Sequence, residues 1–265
     1  MSGELHLITI GASHYCETAR WALERAGLKF RETKHVVIFH VFATAPLGEG
    51  TSCPKLVIMG GAGKSDQRIV LHQSTDIVKF ADNNIQEEQD RLFPDDPELQ
   101  KLVESWVSKF GNDLGPNVRL WAYTYLLHDK SSYRLMTQGA SKTQRRFARL
   151  LLPVIQLLVD QNMSVTKPGQ REKSLAVVES VFKEVDEVLA DGRAFICGDR
   201  FTAADLSFAA LGSIIIAPQG SGAWQPPINE CPEGMASTML RLRNTAAGKH
   251  ILKMYETQRH ELRHK

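Results

Sequence analysis

The run from Leu5 to Cys16, LHLITI followed by GASHYC, constrains the fold more than any other part of the chain. Leu5–Ile10 is rich in long and β-branched apolar side chains and reads as a strand, stopped by Gly11. From Ser13 the period changes: Tyr15, Ala19, Ala22 and Ala26 recur at helical spacing, and Gly27 closes the helix. A strand that gives way to a helix over so few residues sets a helix N-terminus at the strand's end. Unpaired backbone N–H groups and the positive end of the macrodipole converge there, and the place suits an anion such as a thiolate.

The pattern continues with a β-rich stretch at His35–Val41, strands at Pro54–Met59 and Arg68–His72, and a helix over Ser74–Ala81. The Gly-rich loop GGAGKSDQ separates the last two strands. The order is β-α-β, a connection, β-β, α. From Ile85 to Glu98 the chain turns acidic and is interrupted by Pro94 and Pro97, which reads as a linker. Beyond it strand signals nearly vanish. Leu99–Phe110, Val118–Leu127, Lys142–Val159, Glu172–Leu189, Ala203–Ile216 and a stretch near Met239–Arg259 carry helical periodicity, with breaks at Gly115-Pro116, Lys167-Pro168-Gly169 and Asp191-Gly192. The expected organisation is an α/β domain over residues 1–84, a linker over 85–98 and an all-helical domain over 99–265.

Composition bounds the functions. With 265 residues, 43% apolar and 23% charged, the chain has material for a full core. Its 32 Lys and Arg against 30 Asp and Glu leave a net +2, so charge nominates neither nucleic acid nor an anionic membrane as a partner. No basic leader precedes a long apolar run, and no apolar run nears the ~20 residues of a membrane span, so a cytoplasmic protein with no membrane insertion is expected. Cys16, Cys53, Cys197 and Cys231 are scattered without a CxxC, and no metal site is expected.

Several motifs read two ways. Ser13 is a favoured helix N-cap, and its hydroxyl is equally placed to donate to a thiolate at the helix start. Cys16 follows three residues later, where a capping box would have Glu. Ser74 likewise caps a helix or receives a carboxylate with its N–H and hydroxyl. Thr202-x-x-Asp205 is a capping box that specifies fold. Gly61-Ala62-Gly63-Lys64-Ser65 lacks the first glycine of a phosphate loop, since Ile58 stands there, and reads as a hairpin loop. Lys142, Arg145, Arg146 and Arg149 read as a solvated helix face in preference to a nucleic-acid stripe. Trp121, Tyr123 and Tyr125 read as core.

Ser13-His14-Tyr15-Cys16, with Ala22-Leu23 and Gly27, resembles the first strand and helix of glutathione transferases of the serine and cysteine types, the tau, zeta and omega classes. Ser52-Cys53-Pro54-Lys55-Leu56 is similar to the family's turn before a cis-proline, whose backbone pairs with the cysteinyl part of glutathione. Leu71-His72-Gln73-Ser74 is similar to the segment that holds the γ-glutamyl end, and Gly198–Leu206 to the buried capping box of the family's helical domain. The resemblance implies a thioredoxin-like domain followed by a helical bundle, and a detoxifying transferase that joins glutathione, its cosubstrate, to a small hydrophobic electrophile. It implies a catalytic role for Ser13 or Cys16, substrate contacts from Ser13, His14, Tyr15, Cys53, Pro54, Gln73 and Ser74, part of the Trp121–Tyr125 cluster near the acceptor, and a homodimer. His14 stands where the family commonly has Pro, and Cys53 where an aliphatic residue is usual. Two other readings follow from the same residues: a thiol–disulfide oxidoreductase using Cys16, and a binding or scaffold protein that keeps the site without turnover.

Overall fold

The computed structural model describes residues 4–60 and 68–259. Leu5–Ile10 forms β1, His14–Arg25 forms α1, Phe30–His35 forms β2, and a short helix, α2, covers His40–Thr44. Lys55–Met59 is β3, Arg68–Leu71 is β4 and Ser74–Asp82 is α3. The four strands make one mixed sheet in the order β2-β1-β3-β4, with β1 and β2 parallel and the other pairs antiparallel. Parallel neighbours need a crossover, and α1 supplies it. In the β1–β3 register Leu7 faces Leu56, and both side chains are fully buried.

The stretch expected as a strand at His35–Val41 is displaced: the strand is Phe30–His35, and Val36 onward leaves the sheet. FRETKH carries no apolar alternation, which hid it. A buried ion-pair chain holds it instead. Arg20, on α1, pairs with Glu17 and reaches Glu32 at 2.6 Å, and the Thr9 hydroxyl donates to Glu32 at 2.6 Å. Burial alone would raise the Glu32 pKa, yet the Arg20 guanidinium holds it below the ordinary carboxylate value. Val36 and Val37 pack instead into a second apolar core with Met136, Ala148, Ile155 and Val159. The segment Gly61–Ser65 lies outside the described residues.

Helices follow from Pro97: α4 over Pro97–Lys109, α5 over Gly115–Leu126, α6 over Ser132–Thr137, α7 over Lys142–Met163 and α8 over Gln170–Leu189. They are completed by α9 over Ala203–Ile216, α10 over Glu233–Arg243 and α11 over Ala246–Thr257. The break expected at Gly115-Pro116 is no gap. A π-helical turn, Phe110–Leu114, joins α4 to α5, and Pro116 sits in the first turn of α5, where a missing N–H loses no bond. The single helix expected near Met239–Arg259 is two, because Thr245 caps α11 by accepting the Gly248 N–H at 3.0 Å. The short α6 had no periodic signal. No helix among the described residues is long and apolar enough to cross a membrane.

Every residue of α9 is buried, as its apolar character all round requires. The capping box at its start forms: the Thr202 N–H donates to Asp205 at 3.0 Å, while the other carboxylate oxygen accepts from the Ile196 N–H at 2.8 Å and lies 2.9 Å from His250 Nε2. Trp21 of α1 packs on Phe201 and Tyr255, with ring centroids 5.9 and 4.9 Å away. Arg259 reaches back to Glu17 at 2.8 Å. One core therefore joins the sheet to the helices and fixes the cleft between them.

Candidate functional site

The start of α1 is held from three sides. The Ser13 N–H bonds Ile10 O at 3.1 Å to close the turn, and the Ser13 Oγ caps the helix by accepting the Cys16 N–H at 3.3 Å. Gly11 permits a close approach: a Cβ there would lie 2.0 Å from the Gln138 carbonyl oxygen, and the Gly11 carbonyl accepts the Trp224 N–H at 3.2 Å. His14 is buried, with Nε2 3.0 Å from the Gly115 carbonyl, so Nε2 carries the proton, and Nδ1 has no partner among the described residues. Burial, and next the charge of Arg119, push its pKa down to about 3, so the ring is neutral. The Tyr15 hydroxyl donates to the Gly111 carbonyl at 2.7 Å, and burial raises its pKa to about 12. His14 and Tyr15 thus spend polar atoms on tying α1 to the α4–α5 junction.

Two cavities meet at this point. The first, about 690 Å³, has a mixed polar and apolar lining and is bordered by Tyr15, Cys53, Pro54, Gln73 and Ser74. Gln73 is the N-cap of α3 yet makes no capping bond with its side chain, which is exposed at the cavity, and Ser74 and Thr75, whose N–H groups have no partner within the helix, border the same wall. The second, about 310 Å³, is bordered by Ser13 and His14 on one side and by an apolar wall that includes Val37, Tyr123, Leu126 and Ile214. Ser52, Cys53 and Arg119 border both. The Cys53–Pro54 peptide is cis. Lys55, the next residue, turns its Nζ to the loop carbonyls of Glu49 at 3.3 Å and Gly50 at 2.8 Å, and to His72 Nδ1 at 3.1 Å. That bracing holds the loop beside Cys53 in place.

Of the residues singled out in the sequence, Ser13, His14 and Cys53 gather around the second cavity, and Tyr15, Cys53, Pro54, Gln73 and Ser74 around the first. Cys16 borders neither. It is fully buried, its sulfur accepts the Ile10 N–H at 3.5 Å, and burial pushes its thiol pKa up to about 11, against the smaller pull of Ser13 and Ile10. Cys53 is half-buried, and burial raises its pKa as well. Among the described residues no group of three or more His, Cys, Asp or Glu could hold a metal ion. Sequence reasoning missed Arg119. Its guanidinium lies 5.8 Å from the Tyr15 ring, forms no ion pair among the described residues, and puts a positive charge where the cavities join. Nothing in its local pattern marks it, because the cleft that gives it meaning is built from distant segments.

A mixed four-stranded sheet with its helices, followed by a helical region, is the fold of the glutathione transferases, and the comparisons agree. Residues 168–213 match the family model for the glutathione S-transferase C-terminal domain. A glutathione transferase family member from Pseudomonas fluorescens, solved with two glutathione bound, superposes with a TM-score of 0.59 at 15% identity, over 97% of this chain and 90% of that one. The β-etherase LigF from a Sphingobium strain gives 0.58 at 17% identity over 94% and 98%. FzlA from C. crescentus gives 0.56 at 17% identity over 94% and 92%. No curated protein matches the sequence.

Proposed function

We propose that this protein is a glutathione transferase in which Ser13 activates the thiol of glutathione for attack on a small hydrophobic electrophile. The observation that carries the reading is the meeting of the two cavities at Ser52, Cys53 and Arg119, with Ser13 on the wall of the second. The tripeptide's γ-glutamyl end suits the first cavity, where the start of α3 and the Gln73 side chain offer donors to a carboxylate. The Cys53 backbone suits its peptide. The sulfur then reaches the start of α1, facing the apolar cavity that would take the electrophile.

The energetics suffice. A free thiol has a pKa near ~8.5, so only a few per cent is ionised at neutral pH. A hydroxyl that accepts the Cys16 N–H still has its own proton to give, and one charge-assisted bond to a thiolate contributes ~1.5–3 kcal/mol. At ~1.36 kcal/mol per unit this lowers the pKa by roughly one to two units. The helix terminus adds ~0.3–1 kcal/mol. The thiol proton leaves to solvent, a sulfur–carbon bond forms, and the leaving group departs with the bonding pair. Arg119 supplies a cation beside the charge that develops. Cys16, enclosed and with a raised pKa, is unsuited to exchange with glutathione, and the redox reading is correspondingly weaker.

The test is calorimetry with glutathione on the wild type, Ser13→Ala and Gln73→Ala, paired with a conjugation assay using 1-chloro-2,4-dinitrobenzene. Binding weakened by Gln73→Ala, with turnover lost in Ser13→Ala, supports the reading. No heat at millimolar glutathione overturns it, and binding without turnover against a broad electrophile panel turns it toward a non-catalytic binding protein.

A further inference from the structure

The longest helix of the chain has a face that the fold does not use. Ala148, Ile155 and Val159 of α7 point into the second core. On its other side Phe147, Leu150, Leu151, Val154, Leu157 and Leu158 repeat at i, i+3, i+4, i+7, i+10 and i+11 and are open to solvent, Leu150 at 78% and Phe147 at 57%. At 3.6 residues per turn these six cover an arc of roughly 120°. One flank of the arc is basic, with Lys142, Arg145, Arg146 and Arg149 all exposed. No carboxylate pairs with these four among the described residues. Arg149 rests on the Tyr133 ring at 5.5 Å. The only acid of α7, Asp160, is taken by the N–H and hydroxyl of Thr166, each at 2.8 Å. At the other flank Gln144 bonds His35 at 2.9 Å and the Val36 N–H at 3.0 Å, and beyond it Phe42 of α2 stands 80% exposed.

We propose that α7 lies flat on an anionic lipid surface, with this apolar arc seated at the boundary of the acyl chains and the basic flank among the headgroups. The helix is anchored to the protein through its third face, so the arc is presented ready-formed. Its width exceeds the two-in-seven seam of a helix pair and fits the broad face of an interfacial helix. Charge decides between a bilayer and a second copy of the chain. A second α7 brings one carboxylate, Asp160, against four cations and so adds net like charge, whereas anionic headgroups neutralise all of them. The association is peripheral, since no described helix can span a membrane. Leu150 and Leu157 border neither cavity, so this inference stands apart from the glutathione reading.

The experiment is co-sedimentation of the full-length protein with phosphatidylcholine vesicles, with and without phosphatidylserine, alongside sedimentation velocity without lipid. The wild type should partition onto the phosphatidylserine vesicles at least about tenfold more strongly than onto the neutral ones. The double variant Leu150→Glu, Leu157→Glu should lose about tenfold or more of that binding, and Arg145→Glu with Arg146→Glu should abolish the preference for anionic lipid. Both pairs are exposed, and circular dichroism verifies that the variants fold. Should the glutamates unfold the protein, Leu150→Gln with Leu157→Gln carries the same expectation. Failure of the wild type to bind either vesicle, or binding unchanged in the leucine variants, overturns the proposal. So does a lipid-indifferent wild-type dimer that the leucine variants turn into a monomer, which would assign the face to a second copy.

Discussion

His14 Nε2 and the Gly115 carbonyl, 3.0 Å apart, join the first turn of α1 to the first turn of α5 across 101 residues of sequence. The bond sits directly behind the capping serine. It makes the position of Ser13 depend on the helical region as well as on the sheet, and it has consequences for pH.

Because burial holds His14 neutral down to about pH 3 in the folded state, while an unfolded histidine protonates near 6.5, the unfolded chain binds the extra proton between these values. Stability is therefore lost as pH falls below about 6.5, by up to about 1.4 kcal/mol per unit from this group. His40, pushed down to about 4 chiefly by burial, acts in the same direction. In urea melts across pH 4 to 7, His14→Gln should show a shallower acid limb than the wild type; an unchanged slope refutes the assignment.

Ser13→Ala removes a cap and a proposed thiolate donor at once. The cap accounts for about 1 kcal/mol of stability. The donor accounts for roughly ten- to a hundredfold in conjugation rate at neutral pH, with glutathione affinity changed by less than about threefold. Thermal melts and turnover measured together separate the two effects, and a variant that melts earlier yet turns over normally would assign Ser13 to capping alone.

At Gly115 a Cβ would come within 2.3 Å of the Tyr15 hydroxyl. Gly115→Ala must displace the ring that borders the first cavity and donates to Gly111. The expected cost is about 1–3 kcal/mol, visible as a lower melting temperature, together with weaker glutathione binding. Wild-type values for both would show that the junction yields without effect.

Asp205 is fully buried and serves the Thr202 and Ile196 N–H groups and His250 together. Asp205→Ala leaves several buried donors without an acceptor and should destabilise the protein by about 3–5 kcal/mol in chemical denaturation. A loss below about 1 kcal/mol would mean that water or a rearranged loop replaces the carboxylate.

Native protein treated with iodoacetamide should leave Cys16 unmodified, since it is enclosed and its pKa lies near 11. Peptide mapping checks this, and rapid labelling of Cys16 would restore the thiol-exchange reading.

Local chemistry was legible in the residues alone. Strand β1, the capped start of α1, the Thr202–Asp205 box and the bounds of α9 are written as period, cap and breaker, each set by neighbours a few positions away. Strand β2 was not, because FRETKH owes its place to Arg20 and Glu17 on another element. Cys16 and Ser13 stand three residues apart in one motif, and only the packed core decides that one is sealed in and the other faces a cavity. Arg119 and the exposed arc of α7 likewise acquire meaning from what surrounds them, or fails to. Periodicity reports that a helix has an apolar face; which of its faces meets the core is settled by long-range packing, and that depends on contacts between segments the local pattern cannot see.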